Sequence, residues 1–293
     1  MKPTPAWLAC SLLTGLAVAG TARPAFAETP PGIMTQANAS SGTTEVGGAG
    51  FQAIEKPKTF QEDTQLTLSA GGLMATGNAR SVAVTGVGNL RIRRQANEYS
   101  AMVAGNYGRA AVESDESMQT TVENIQGRVR YDRFLSDEWS LFLAESARKD
   151  RFQGLDLRLN FDPGVAYYLL DVEKHRLWAE LGYDLQYDIR DEDAILASAE
   201  PLDKTAVRHS ARGFIGYRND LNEAVRVSTG LEYIQAIVDS ENFRLNWQAS
   251  LISALSTNLS LATTFNLAYD NNPLPGIRKT DTTTSLSLVY TLM

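Results

Sequence analysis

Two histidines are the first residues in this sequence that could do chemistry. His175 lies between Lys174 and Arg176, and His209 is followed directly by Ser210. Neither histidine has a second histidine, a cysteine or a carboxylate at the spacing of a zinc site, so no metal or cofactor is predicted. A serine hydrolase needs histidine and serine within reach of each other, whereas neighbouring strand residues point to opposite faces. An outer-membrane hydrolase is therefore a distant alternative, and no catalytic residue is predicted.

A larger set of charged side chains consists of arginines and carboxylates at alternate positions. Alternate residues of a strand share one face, so these charges would line the inside of a closed sheet. Rings of one sign select ions, whereas a mixed set can also form a salt-bridged core that holds a narrow barrel rigid. Two hypotheses follow: a narrow channel for small solutes, anionic ones if the arginine excess decides, or a closed structural barrel. The predicted lumen-lining residues are Arg91, Arg93, Arg128, Arg130, Arg158, Arg212, Arg226, Arg244, Asp156, Glu180, Asp184, Glu232, Asp270 and Asp281.

The elements that must position these charges are strands. From residue 64 onward, long runs alternate between apolar and polar side chains, and turn residues separate the runs. The length of each run suits a tilted membrane crossing. We predict strands at 66–76, 80–94, 98–109, 120–133, 138–148, 153–169, 176–188, 205–217, 224–237, 242–253, 259–269 and 280–292.

The connections between these runs alternate in length. The three longest, 110–119, 189–204 and 270–279, all follow odd-numbered strands. Short turns at one end and long loops at the other are typical of bacterial outer-membrane barrels. The prediction is an all-β, antiparallel up-and-down transmembrane barrel of about twelve strands; a soluble sandwich or lipocalin-like barrel, with apolar side chains inside, is the alternative. Three acidic residues, Asp191, Glu192 and Asp193, lie in the predicted loop 189–204. We expect them to form a solvated loop tip, or to make a weak contact with divalent cations or lipopolysaccharide.

Two positions disturb the alternation. Glu145 shares the parity of Trp139, Leu141 and Leu143, so it either interrupts the apolar face or marks a bulge that flips the register. Pro163 lies inside the sixth run and predicts a bulge or an early strand end, because proline cannot donate to the ladder.

The beginning of the chain predicts export. Lys2 precedes an apolar stretch at 7–19, and 25–27 is a small-x-small cleavage site, so residues 1–27 predict a secretory signal peptide. Cleavage near Ala27 would remove Cys10, which is the one cysteine, and would remove Lys2 and Arg23 but no acid. Residues 28–63 are rich in Gly, Ser, Thr and Pro and predict a disordered or loosely ordered periplasmic arm. Residues 64–293 then form the barrel.

Composition and charge exclude several classes of protein. After residue 27 no apolar run approaches the ~20 residues of a membrane helix. The net charge of −7 argues against nucleic acid as a partner. The expected location is the outer membrane of a Gram-negative bacterium. The expected partners are outer-membrane lipid, lipopolysaccharide, periplasmic chaperones and the barrel-insertion machinery.

Several short motifs lie within the predicted barrel. They are Thr-Gly-Asn at 76–78, Tyr-Asp-Arg-Phe-Leu-Ser-Asp at 131–137, Asp-Arg-Phe-Gln-Gly-Leu at 150–155, Asp-Asn-Asn-Pro-Leu-Pro-Gly at 270–276 and Lys-Thr-Asp-Thr at 279–282. In combination they resemble the salt-induced outer membrane proteins of the YdiY type (domain of unknown function 481). The resemblance covers roughly residues 64–293 and implies an outer-membrane barrel, which in the closed form would support the envelope under osmotic stress. It supplies no catalytic residues.

Overall fold

The alternating runs fold into strands along most of the chain. The computed structural model describes residues 62–75, 80–111, 117–151, 154–172, 174–197, 203–273 and 279–292. The predicted signal peptide and nearly all of the predicted arm lie outside the described residues. The elements are β1 (Asp63–Ala75), β2 (Arg80–Arg94), β3 (Asn97–Ala111), β4 (Gln119–Phe134), β5 (Trp139–Asp150), β6 (Leu155–Asp171), β7 (His175–Arg190), α1 (Glu192–Ala197), β8 (Thr205–Asp220), β9 (Val225–Ala236), β10 (Phe243–Ala254), β11 (Leu259–Asp270) and β12 (Thr280–Thr291).

Each strand pairs antiparallel with its neighbours in sequence, and β1 pairs with β12 to close the barrel. Closure leaves no free edge whose backbone groups would lack partners. The predicted all-β, twelve-strand antiparallel barrel is therefore confirmed. Every predicted strand boundary lies within three residues of the observed one. Within the described residues, no helix is long and apolar enough to span a bilayer.

The two faces of the wall show the distribution of an outer-membrane barrel. Along β5, Leu141 and Leu143 point outward and are exposed, whereas Phe142, Ser146 and Arg148 point inward and are buried. Most strands repeat this pattern, with large apolar side chains outside and polar or charged ones inside. A soluble barrel would have the opposite distribution, so the soluble alternative is excluded. The outer face suits lipid and the interior is polar.

The two disturbed positions have different outcomes. The register runs without a shift from Val129 through Glu145 to Phe161, so Glu145 interrupts the apolar outer face and no bulge flips it. The break predicted at Pro163 is wrong, because β6 continues through it and Pro163 pairs in register with Leu143. On the β7 side the ladder passes from the pair Phe161–Leu185 to the pair Gly164–Gly182 without a change of register, so the missing donor of Pro163 does not shift the strand.

Glycines in the wall allow aromatic rings to lie flat against the backbone. A Cβ atom on Gly164 would lie 2.3 Å from Cζ of Phe142 and 2.7 Å from the carbonyl oxygen of Leu181. A Cβ atom on Gly216 would lie 2.3 Å from the Trp178 ring. Real Cβ contacts are not this short, so any larger residue at these positions must displace a ring from the lumen.

The Gly216→Ala substitution is expected to destabilise the barrel by about 1–3 kcal/mol, the usual cost of forcing a packed side chain from its place. Gly86→Ala is the matched control, because a Cβ on Gly86 has no neighbour within 4 Å. Urea unfolding of both variants in lipid bilayers measures the difference. Equal stability of the two variants would show that the Trp178 ring does not need the glycine surface.

Candidate functional site

The candidate site is a set of ion pairs across the middle of the lumen. Arg130 on β4 donates from Nε and Nη2 to Asp132 at 2.8 and 2.7 Å and from Nη1 to Glu180 at 3.1 Å. Arg212 on β8 donates from Nη1 to Glu180 at 2.9 Å and from Nε to Glu232 at 2.6 Å. We call these five residues the central network. Their side chains are 0–1% exposed.

The central network connects strands that are not neighbours. Arg130 lies on β4 and Glu180 on β7, which are three strands apart around the barrel. The Arg130–Glu180 bond therefore crosses the lumen instead of following the wall. Glu180 is shared between Arg130 and Arg212, so one carboxylate on β7 joins β4 to β8. Asn246 on β10 extends the connection by donating to Glu232 at 3.0 Å.

A second group of polar contacts lies on the side of the long loops. Arg244 on β10 donates to Gln186 at 2.7 Å and to Asp184 at 3.3 Å, both of which lie on β7. Arg158 on β6 donates two bonds, of 2.7 and 2.8 Å, to Asp188 on β7. The inward face of β7 thus presents a row of acceptors to arginines of the surrounding strands. Because β7 and β10 are also three strands apart, Arg244 makes a second link across the lumen.

An aromatic layer fills the lumen on the side of the short turns. It consists of Phe142, Tyr168, Trp178 and Phe214, all buried. The guanidinium carbon of Arg130 lies 4.1 Å from the centre of the Phe142 ring. A cation over an aromatic face is attracted to it, and the attraction is larger away from water. The central network therefore rests directly on the aromatic layer.

Most of the predicted lumen-lining residues lie inside, as their parity requires. Arg91, Arg93, Arg128, Arg130, Arg212, Arg226, Arg244, Glu180, Asp184, Glu232 and Asp270 are all buried, and the Arg158 side chain is 11% exposed. Outside the central network, Arg91 bonds Asp63 at 2.6 Å, Arg93 pairs with Glu98, and Arg226 bonds Asp220 at 2.6 Å.

The prediction that Asp156 lines the lumen is wrong. The register between β6 and β7 shifts from Leu155 to Leu157, so the intervening Asp156 leaves the inward row. Its side chain is 41% exposed and lies 3.6 Å from Nζ of Lys149 at the rim. The side chain of Asp281, which was also predicted to point inward, lies outside the described part of the chain.

Six further charged residues are buried in the lumen and were not among those predicted, although the same alternation places them inward. They are Glu98, Asp132, Arg148, Asp150, Asp162 and Asp188. With them, the described buried residues include nine carboxylates and eight arginines. Among these fully buried groups the arginine excess that favoured anions is absent, and Arg158, which is 11% exposed, makes the two signs equal in number.

The histidines lie outside the lumen network. His209 points outward and hydrogen-bonds to the Tyr183 hydroxyl, whereas Ser210 points inward and is buried. At the short-turn end of the barrel, Nδ1 of His175 lies 2.9 Å from the Tyr217 hydroxyl. Within the described ranges, no group of three His, Cys, Asp or Glu side chains could hold a metal ion.

Part of the acidic segment at 191–193 forms the start of the short helix α1 at the rim. Nζ of Lys204 donates to Glu192 at 3.0 Å, and both side chains are exposed. This hydrogen bond and the charge of Glu192 raise the pKa of the Lys204 ammonium. Because the pair is solvated, it contributes little to stability.

Comparison with known proteins gives one family and several similar structures. The family model described as "Protein of unknown function, DUF481" matches residues 68–292. No match to a curated protein was found. The NanC porin structure is 11% identical, with a TM-score of 0.45 over 77% of this chain and 97% of that one. The KdgM porin in complex with disordered oligogalacturonate is 8% identical, with a TM-score of 0.39 over 79% of this chain and 100% of that one. The translocator domain of the autotransporter NalP from Neisseria meningitidis is 11% identical, with a TM-score of 0.38 over 78% of this chain and 87% of that one.

Proposed function

We propose a function for this chain from the premise that it belongs to the DUF481 family, whose match spans the barrel. The protein is an outer-membrane barrel that is closed at mid-height by its own side chains. It serves as a structural element of the envelope, and small solutes do not pass through it in this state. Of the two hypotheses from the sequence, the geometry favours the closed barrel over the narrow anion channel.

The observation that carries this proposal is the burial of Arg212 between two carboxylates. The side chains of Arg212, Glu180 and Glu232 are each 0% exposed. The charges of a conducting pore contact water, because passing ions exchange their hydration shell with them. Here the charged groups contact one another and leave no surface to a passing ion.

The energetics of the central network also fit a closed lumen. Moving charges out of water is costly, and ion pairing offsets that cost only with good geometry and additional hydrogen bonds. Glu180 accepts from two arginines, and Glu232 accepts from Arg212 and Asn246. Such a network adds little net stability but fixes the relative positions of the strands that it joins. A fixed, filled interior is what a structural barrel needs.

The remaining parts of the chain fit the same proposal. We propose that residues 1–27 direct export and that 28–63 form a periplasmic arm, whose last residue already belongs to β1. The first residues of β1 and the last of β12 lie at the short-turn end of the barrel, which faces the periplasm in barrels of this type. Outer-membrane lipid, lipopolysaccharide and the insertion machinery are the proposed partners.

The conductance of the refolded wild-type protein in a planar bilayer tests this function. We expect no openings above the lipid baseline at either sign of the voltage. A heat-modifiable gel shift on the same sample must first show that the barrel has folded. Stable single-channel openings of a folded sample would contradict the closed barrel and favour the channel hypothesis.

A further inference from the structure

Two carboxylates face each other across neighbouring strands in the lumen. The ladder between β6 and β7 keeps its register from Phe161 to Gly164, so Asp162 on β6 lies opposite Asp184 on β7. Both side chains are buried, and their carboxyl groups lie within hydrogen-bond reach of each other. Like charges directly opposite each other destabilise a sheet, and burial strengthens the repulsion. This pair is therefore stable only with a positive charge beside it.

The two carboxylates differ in their partners. Asp184 accepts from the side-chain amide of Asn160 at 2.7 Å and from Arg244 at 3.3 Å, and these bonds hold it in place. Neither oxygen of Asp162 has a hydrogen-bond donor, and no ion pair joins Asp162 to a cation among the described residues. Asp162 is nevertheless 0% exposed. A buried carboxylate without compensation is very costly, so Asp162 needs a partner from outside the chain.

A third oxygen-bearing side chain completes the row. Ser210 on β8 is the register partner of Asp184, so it lies on the far side of Asp184 from Asp162. Its hydroxyl is buried and has no hydrogen-bond partner in the described part of the chain. Buried polar atoms almost always have a partner, and several that lack one at the same place indicate a bound ion or water.

The nearby arginines do not take this place. Arg128 and Arg212 act on Asp162 at longer range, and neither forms an ion pair with it. Arg212 is instead held between Glu180 and Glu232. One negative charge thus lacks a positive group in contact with it, and a ligand with a single positive charge would compensate it.

The number of unpartnered oxygens favours a cation over a shared proton or a water molecule. A proton between the two carboxyl groups makes one hydrogen bond and leaves the Ser210 hydroxyl as it is. A water molecule can bond to several of these oxygens but adds no charge. A cation contacts the oxygens of all three side chains and also compensates Asp162.

The donor set also restricts the kind of cation. The three side chains carry five oxygens, fewer than the roughly six to eight that calcium takes. Magnesium keeps several of its waters, and the complete burial of Asp162 and Ser210 leaves no water at their surface. Among the described residues, no cluster has the third carboxylate or histidine of a typical divalent site. These conditions select a small cation of single charge.

The row lies on the long-loop side of the central network. Glu180 belongs to that network, and Asp184 follows it by four residues along β7 toward the long-loop end. A cation that approaches from the long loops therefore reaches the row without crossing the central network.

We propose that Asp162, Asp184 and Ser210 form a binding site for one small monovalent cation, of the size of sodium, inside the barrel. The cation joins β6, β7 and β8 through oxygens that the chain itself leaves without partners. The inference rests on the folded barrel but not on a closed lumen, so a conducting barrel would leave it intact.

Urea unfolding of the barrel in lipid bilayers, at constant ionic strength, tests the site. Sodium chloride is compared with potassium, calcium and choline chlorides, because choline is too large for the row. A ligand that binds only the folded state raises the folding equilibrium constant about tenfold at about ten times its dissociation constant. We expect this rise for the wild type in sodium and its loss in Asp162→Asn. Equal stability in sodium, potassium and choline would overturn the proposal, as would a calcium effect larger than that of sodium.

Two further variants separate the site from general stability. Asp188→Asn is the matched control, because Asp188 is also buried on β7 but accepts two bonds from Arg158. It should be less stable than the wild type and keep the full response to sodium. Ser210→Ala removes one ligand and no charge, so it should weaken sodium binding about tenfold.

The heat-modifiable gel shift checks that each variant folds, and Ser210→Ala decides the test if Asp162→Asn does not fold. An unchanged sodium response in Ser210→Ala, or an equal loss of the response in Asp188→Asn, would overturn the proposal.

Infrared spectroscopy distinguishes the cation from a shared proton. With sodium bound, both carboxyl groups are ionised, so Asp162→Asn should remove a carboxylate band and leave the carboxylic-acid region unchanged. If Asp162→Asn instead removed a carboxylic-acid band at saturating sodium, a proton would hold the pair together and the cation site would be refuted.

Discussion

Replacing Arg212 with leucine is expected to destabilise the barrel by about 3–5 kcal/mol and to make it leak. The substitution leaves Glu180 and Glu232 buried without the arginine that joins them. Breaking a buried ion pair from one side costs this much because the remaining charge stays out of water without compensation. Water entering to solvate the two carboxylates would open a path that prefers cations. Urea unfolding in bilayers measures the first effect, and single-channel recording with a salt gradient measures the second.

The same substitution at the rim provides the control. Arg151 lies 3.3 Å from Glu123, and the two side chains are 66% and 51% exposed. Exposed pairs contribute at most about 1 kcal/mol, so Arg151→Leu should leave both stability and conductance nearly unchanged. If Arg212→Leu were as stable as Arg151→Leu and showed as little conductance, the central network would neither fix the positions of the strands nor close the lumen.

The strands could be predicted from the sequence because a period of two is a local property. Each side chain reports its face by its parity, and a membrane barrel makes the contrast between faces strong. The prediction failed in locating the local changes of register. At Asp156 a shift between β6 and β7 moved the side chain to the rim, and at Pro163 the expected shift did not occur. Parity does not indicate where a ladder gains or loses a residue.

The partners of the buried charges could not be predicted. Arg130 and Glu180 are fifty residues apart in sequence, and their contact depends on the curvature that brings the inward side chains of β4 and β7 together. Parity places both side chains inside but leaves open whether they line a path or close it. Pairing across the lumen is a property of the closed barrel.

The aromatic layer shows another limit of the polar-lumen prediction. Trp178 has the parity of Glu180, and Phe214 has the parity of Arg212, so the alternation places both rings inward. A signal was nevertheless present, because these large apolar residues stand in the polar row. The inward glycines that accommodate the rings, such as Gly216, lie in the same rows.

Replacing Phe142 with alanine should remove the support of the central network, at a cost of about 3–5 kcal/mol. The loss has two parts, which are the transfer of the ring and the cavity that remains between the wall at Gly164 and the guanidinium of Arg130. Leu143→Ala is the matched control, because the next residue along β5 points outward and is exposed. Lipid tails close over a smaller outward side chain without leaving a cavity, so this change should cost less.

The two alanine variants also separate packing from charge as the cause of closure. In Phe142→Ala both carboxylate partners of Arg130, Asp132 and Glu180, are retained, so any leak must come from the lost ring. We expect brief openings, fewer than those of Arg212→Leu, because the ion pairs remain while their position becomes less fixed. Urea unfolding and bilayer recording of Phe142→Ala, Leu143→Ala and Arg212→Leu rank the three variants by stability and by conductance. A Phe142→Ala barrel that is as stable as Leu143→Ala would show that the ion pairs hold their places without the aromatic layer, and closure would then rest on charge alone.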